Sequence, residues 1–199
     1  MTPDSGAPGE LVPAATALIV IDVQVGFRDA AHWGRRNNPD SEQNIQRLTQ
    51  AWRAAEMPMV VVRHASTDPG SPLHPAQEGH QLEEYVEGAT ALEVVKSVNS
   101  SFHGEPDLDA WLQAEGITTI VVCGITTNHC CETTARVGGN LGHRVLFALD
   151  ATHTFDRTGP DGRVLTADEL ALATATNLHG EFATVVSTRD LLEAIPRLS

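Results

Sequence analysis

Cysteine is scarce in this chain: Cys123, Cys130 and Cys131 are the only three among 199 residues. An odd number crowded into one short stretch, two of them adjacent, excludes a disulfide framework, so a reduced, cytoplasmic setting is expected. Basic residues are also few. The 13 Lys and Arg against 26 Asp and Glu leave a formal net charge of −13, which argues against a nucleic-acid backbone as a ligand. Long apolar runs are missing too, and none approaches the roughly 20 residues of a membrane-spanning helix. Residues 1–16 have neither a basic n-region nor an apolar h-region, so no signal peptide is expected there. They are expected to form a flexible arm ahead of one domain over 17–199.

The rest of the composition is ordinary for a globular chain, with 41% hydrophobic and 20% charged residues, enough to bury one substantial core. The continuous β-branched run 17–23 predicts a strand covered on both faces. A helix is expected after Pro39, capped by Asp40 or Ser41, with Ile45, Leu48, Trp52 and Ala55 at helical spacing. Further strands are expected at 58–63, 92–96, 117–123, 144–149 and 181–186. Helices are expected at 107–115, 130–141, 166–178 and 188–195, the third opened by a Thr166/Glu169 capping box. Between them, 64–88 is rich in Pro, Gly and His and is expected to be a long, functional loop with one helical turn. Strand and helix alternate throughout. The expected fold is therefore α/β, a doubly wound, mostly parallel six-stranded sheet with helices on both faces.

The segment GITTNHCCETTAR, 124–136, is the most informative. It sets a tight Gly/Thr turn after a buried strand and puts Cys130 at a helix start. Backbone N–H groups and the helix dipole favour a thiolate there, so a depressed Cys130 pKa is expected. The same N–H groups suit an oxyanion formed by attack on a carbonyl. In a parallel sheet, ligands bind outside the carboxyl ends of the strands. Asp22 ends the first strand, Lys96 ends the third, and Cys130 lies just beyond the fourth. Each has a bland alternative: a turn residue, a solvated cation, a packing thiol. Together they make a nucleophile with a proton acceptor and an electrostatic activator.

These residues carry a resemblance. IDVQVGF (21–27), VVKSVNSSF (94–102) and GITTNHCCETTAR resemble the three signature blocks of the isochorismatase-like cysteine hydrolases. That superfamily includes nicotinamidases, N-carbamoylsarcosine amidases, ureidoacrylate and biuret hydrolases, and streptothricin hydrolase. The resemblance runs over about 17–192 and implies Asp22, Lys96 and Cys130 as the catalytic set. It also implies a cis Ile125–Thr126 peptide, and Thr126 and Cys130 N–H groups as the oxyanion hole. Where the family often has Val after the nucleophile, this chain has Cys131; Cys130 is favoured because it follows Thr-Asn-His. Phe27 matches an aromatic of the family pocket, and Phe102 and Thr127 join it as the substrate-binding candidates. His32, Trp33, His64, Tyr85 and His129 also have loop positions from which to reach the site.

The resemblance implies hydrolysis of a C–N bond in a small amide, lactam or ureido substrate through a Cys thioester. Isochorismate-type vinyl-ether hydrolysis and a catalytically silent small-molecule binder are the alternatives, and the intact catalytic set weighs against the binder. Nicotinamidases hold a metal through an Asp-x-His pair. Here Val62-Arg63-His64 lacks the Asp, so no metal or other cofactor is expected, although His64, His74 and His80 form a conceivable three-His set. A homodimer or larger homo-oligomer is implied, with neither nucleic acid nor membrane as partner. Acidic residues 29, 68, 78, 83, 84, 87 and 156 fall in loops near the strand ends, and their field would favour a cationic substrate.

Overall fold

The computed structural model describes residues 11–88 and 90–196. Strand β1 (Thr16–Ile21) is followed by a short helix α1 (Ala30–Trp33), then α2 (Ser41–Ala54), β2 (Met59–His64) and β3 (Leu92–Lys96). Next come α3 (Leu108–Ala114), β4 (Thr119–Ile125), α4 (Glu132–Asn140) and β5 (Arg144–His153). A small hairpin of β6 (Arg157–Thr158) and β7 (Val164–Leu165) precedes α5 (Ala167–Leu178), β8 (Thr184–Val186) and α6 (Thr188–Ala194). The main sheet has six strands in the order β3-β2-β1-β4-β5-β8, and every pairing in it is parallel. Strand order reverses between β1 and β4, which opens a crevice at their carboxyl ends.

The apolar run of β1 is buried along its whole length, and its side chains alternate between two cores. Leu18 and Val20 pack with Ile45, Leu48 and Trp52 of α2 and Leu191 of α6. Ala17, Ile19 and Ile21 pack with Leu108 and Leu112 of α3 and Ala135 of α4. Each large aliphatic side chain so buried contributes about 1.5–3 kcal/mol, which holds the three layers together. At the crevice the strands approach closely. Gly124 has φ +124°, and a Cβ there would lie 2.0 Å from the Ile21 carbonyl oxygen, so only glycine fits. The capping box on α5 forms as expected.

Several boundaries differ from the sequence expectation. β5 runs on to His153 because its polar end, after a register shift, pairs Thr152 and His153 with Gly124 and Ile125. β8 starts only at Thr184, since the N–H groups of Glu181, Phe182 and Ala183 all donate to the Leu178 carbonyl at the end of α5. The β6–β7 hairpin was not expected. The loop after β2 holds two single turns, Glu78–His80 and Glu84–Val86, rather than one. Of the arm expected over 1–16, residues 1–10 lie outside the described residues. From Leu11 onward that expectation fails, because Leu11 is apolar enough to join the core beside Leu191 and Ala194, and Thr16 already belongs to β1. No helix among the described residues is long and apolar enough to cross a membrane.

Candidate active site

Neighbouring strands bring their ends to one rim. Lys96 ends β3, His64 ends β2, Asp22 directly follows β1, and the turn after β4 carries Cys130. Lys96 is the hub. Its Nζ donates to Asp22 Oδ2 at 2.7 Å and lies 3.4 Å from Cys130 Sγ and 3.2 Å from His64 Nδ1. The side chains of Asp22 and Lys96 are fully buried. Asp22 adopts φ 50°, a left-handed conformation that non-glycine residues reach at a cost of about 1–3 kcal/mol. Its N–H donates to the Val62 carbonyl at 2.9 Å, and Oδ1 is buried without a hydrogen-bond partner.

Electrostatics here run partly against expectation. Burial lowers the Lys96 pKa, but the Asp22 carboxylate and the Cys130 sulfur outweigh it, so the ammonium is held above its ordinary value. Burial raises the Cys130 thiol, Asp22 raises it further, and Lys96 offsets only part of this. The depressed thiol pKa expected from the helix start is therefore corrected: desolvation and the adjacent carboxylate push the thiol up by more than Lys96 pulls it down. The resting site is a thiol beside an ion pair. Cys131 is raised by burial and by Cys130, and Cys123 by burial alone.

The chain passes from β4 to α4 through a wide five-residue turn, Thr127–Cys131, and the Ile125–Thr126 peptide is cis. In that turn the His129 and Cys131 N–H groups donate to the Thr126 carbonyl at 3.3 and 3.2 Å. A cavity of about 130 Å³ opens over Cys130, with Asp22, His64 and Thr126 at its base. Phe27, Trp33 and Leu73 form its apolar wall, and Asn99 and His129 add polar edges. Through Trp33, Thr126 and His129 it adjoins an outer recess of about 330 Å³ bounded by Phe155 and Arg157. The Phe27 and Trp33 rings lie 4.8 Å apart, and Trp33 and Phe155 5.5 Å apart.

Of the three substrate-binding candidates, the structure brings only Phe27 to the cavity. The Ser101 N–H donates to Thr134 Oγ1 at 3.0 Å, which turns Phe102 away, onto Gly138 of α4 and into a stack with His143 at 5.8 Å. Thr127 is buried beneath the turn and donates to Thr152 Oγ1 at 2.9 Å. Asn99, three residues after Lys96, reaches instead, with Oδ1 3.8 Å from Cys130 Sγ. Trp33, His64 and His129, whose loop positions in the sequence allow them to reach the site, do line the cavity; so do Leu73 and Asn99, to which no sequence feature assigns a role. Tyr85 packs against the core beside α2 and His32 borders the outer recess.

Among the described residues, the one group of three with metal-ligand character is Asp22, His64 and Cys130, whose donor atoms lie within 4.8 Å of one another. His74 and His80 are not part of it. The Lys96 ammonium already contacts all three donors, so the cationic position among them is taken.

Residues 16–190 match the isochorismatase domain. The chain belongs to the isochorismatase family of hydrolases. Its family relatives include YrdC of Bacillus subtilis, 39% identical over 180 residues, covering 88% of this chain and 94% of that protein. The streptothricin hydrolase of Streptomyces noursei is 32% identical over 142 residues, 70% of this chain and 50% of that enzyme. Among solved structures, an isochorismatase-family protein of Chromobacterium violaceum superposes with a TM-score of 0.88 at 38% identity, covering 95% of this chain and 97% of that one. The fold of the isochorismatase family is thus shared almost end to end.

Proposed function

We propose that this isochorismatase-family hydrolase uses Cys130 to cleave the C–N bond of a small amide, lactam or ureido compound through a thioester. The observation that carries the reading is the convergence of Cys130 and Asp22 on one small cavity, with the buried Lys96 ammonium in contact with both. The substrate carbonyl enters over Sγ. Asp22 Oδ1, which has no other partner, accepts the thiol proton as the sulfur attacks the carbonyl carbon. Lys96 stabilises the negative charge on sulfur while it lasts. Because the resting thiol pKa is raised, proton transfer accompanies attack rather than preceding it.

The developing oxyanion is received by the N–H groups of Thr126 and Cys130, neither of which takes part in the turn's own bonding to the Thr126 carbonyl. Collapse breaks the C–N bond, and the proton held by Asp22 passes to the departing ammonia or amine. Asp22 then takes a proton from water, whose oxygen attacks the thioester carbon and releases the acid and the Cys130 thiol. Each helper of this kind is worth about 10²–10⁴-fold in rate. The streptothricin hydrolase relative supports hydrolysis as the reaction.

The test is a panel of small amides, lactams and ureido compounds scored for ammonia or amine release, with intact-mass detection of an acyl adduct during turnover. Release that disappears in Cys130→Ala, with an adduct mapping to Cys130, is the expected result. Release retained in Cys130→Ala would refute the mechanism.

A further inference from the structure

We infer that His64 is a specificity-determining residue: Lys96 holds its neutral ring in the Nε2–H tautomer, and that N–H donates to an acceptor on the substrate beside the reacting carbonyl. The inference rests on the hydrolase reading above and adds a substrate class to it. The favoured amide carries a free acceptor next to its reacting carbonyl, a pyridine-type ring nitrogen or a second carbonyl oxygen, as in 2-pyridyl carboxamides and imides.

An ammonium has three donors and no acceptor. In the 3.2 Å contact between Lys96 Nζ and His64 Nδ1, Nδ1 must therefore be the acceptor and carry no proton. The proton of a neutral ring then sits on Nε2. Burial and the Lys96 charge both lower the His64 pKa, so the ring is neutral at pH 7. Its backbone is clamped from both sides by the buried Gln24, whose Nε2 donates to the His64 carbonyl at 3.1 Å and whose Oε1 accepts from the His64 N–H at 2.8 Å. His64 is also the register partner of Lys96 on the neighbouring strand. The ring is thus fixed at the cavity, with a nitrogen within 4.8 Å of Cys130 Sγ.

Among the described residues, Nε2 of His64 meets no acceptor. The apolar part of the lining, Phe27, Trp33 and Leu73, offers none, and no hydrogen bond joins Nε2 to Asp22, Asn99, Thr126 or His129 of the same cavity. A ligand that fills the cavity without an acceptor strands this donor, whereas one that carries an acceptor satisfies it, and sites built in this way discriminate against the analogue lacking the acceptor.

A role confined to holding Lys96 would give the ring no part in selection, and two substitutions separate the cases. His64→Asn keeps an oxygen to accept from Lys96 but has no donor near the Nε2 position. His64→Gln places an amide N–H near Nε2. Two aldehydes, pyridine-2-carbaldehyde and benzaldehyde, differ by one nitrogen for one CH. Each adds reversibly to a thiol: the S–C bond forms and the thiol proton goes to the carbonyl oxygen. The ratio of their affinities, with Cys130→Ala as the blank, cancels any shared change in thiol reactivity. The preference for the pyridine aldehyde is expected to fall about tenfold in His64→Asn and to return in His64→Gln, with both variants melting like the wild type. Nitrogen-15 spectra of the histidines should show a proton on Nε2 and none on Nδ1. An unchanged ratio in His64→Asn, or a proton on Nδ1, overturns the inference. If neither aldehyde adds in a Cys130-dependent way, the hydrolase reading itself fails, and the part of His64 is decided by the nitrogen spectrum.

Discussion

The base of the cavity and the wall above it are built by different means. Asp22, His64 and Lys96 stand at the ends of neighbouring parallel strands, and Cys130 in the turn that follows a fourth, positioned by main-chain ladders and the cores on either face of the sheet. Phe27, Trp33, Leu73 and Phe155 come from connecting segments and are held by contacts among themselves, with one anchoring bond from Trp33 Nε1 to the Gly26 carbonyl at 2.9 Å. The sheet thus fixes the reacting groups to within a hydrogen bond, while the loops set what fits over them.

The largest effects should therefore come from the base. Cys130→Ala is expected to lower turnover by about 10⁴-fold or more, and Asp22→Asn and Lys96→Met by about 10²–10⁴-fold each. The last two each leave one partner of a buried ion pair alone, at about 3–5 kcal/mol of stability, so rates are read where circular dichroism shows each variant folded. Trp33→Ala on the wall should raise KM by about tenfold with kcat nearly kept. If Trp33→Ala lowered kcat as much as Asp22→Asn does, the division between base and wall would be lost.

The same contrast decides how much could be read from the sequence. β1 to β4 and the groups at their ends were legible because burial on both faces imposes an apolar run, and each run stops at a polar residue that the strand direction delivers to the rim. The β5 extension was not, since Asp150-Ala-Thr-His153 is too polar to read as strand and pairs only after a register shift. Phe102 was misplaced because the Ser101–Thr134 bond that turns it away joins residues 33 apart. The thiol pKa was given the wrong direction for a related reason. A helix start is local and visible, whereas desolvation is a property of the assembled core. Trp33 and Leu73 reach the cavity through loop paths that no periodicity encodes.

The raised thiol makes a second prediction, about reactivity without substrate. Cys130 lines the cavity and Cys123 and Cys131 do not, so iodoacetamide should modify Cys130 first. Its rate should climb about tenfold per pH unit from pH 7 to 9, as the thiolate fraction of a thiol well below its pKa does. Peptide mapping with timed quenching measures this. A rate already flat at pH 7 would mean that Lys96 outweighs burial after all.

A third prediction tests how the wall is tied to the sheet. His153 ends β5, contacts Phe155 edge-on at 5.6 Å and shares a hydrogen bond of 2.9 Å with Ser41 at the start of α2. Burial, with a smaller effect from Arg36, lowers its pKa from 6.5 to about 3. The unfolded chain therefore binds the proton more readily, and the stability present above pH 6.5 is lost as pH falls toward about 3. By pH 5 the loss should be about 2 kcal/mol. Urea midpoints of the wild type and His153→Gln between pH 7 and 5 isolate this group, and equal pH slopes would remove His153 as the cause.

The smallest expected effect concerns charge. The acidic excess suggested a field favouring cationic substrates, yet the acids near the rim are largely engaged. Glu83 pairs with Arg28, and Asp156 with Arg35 at 3.0 Å. Asp29 accepts from the Ala31 and His32 N–H groups at the start of α1, and Asp68 from the Gly70 N–H. Arg157, with no side-chain partner among the described residues, borders the outer recess. What reaches an approaching molecule is then mainly the distant net charge of −13, which salt screens readily as the Debye length falls from about 30 Å at 0.01 M to about 8 Å at 0.15 M. Over that range kcat/KM for a cationic amide should drop only about two- to threefold, below the tenfold or more of a focused cleft, while a matched neutral amide stays constant. Stopped-time assays on the pair across ionic strength measure the difference. A drop beyond tenfold would place an acidic field at the mouth itself, and equal flat lines would leave the charge no part in capture.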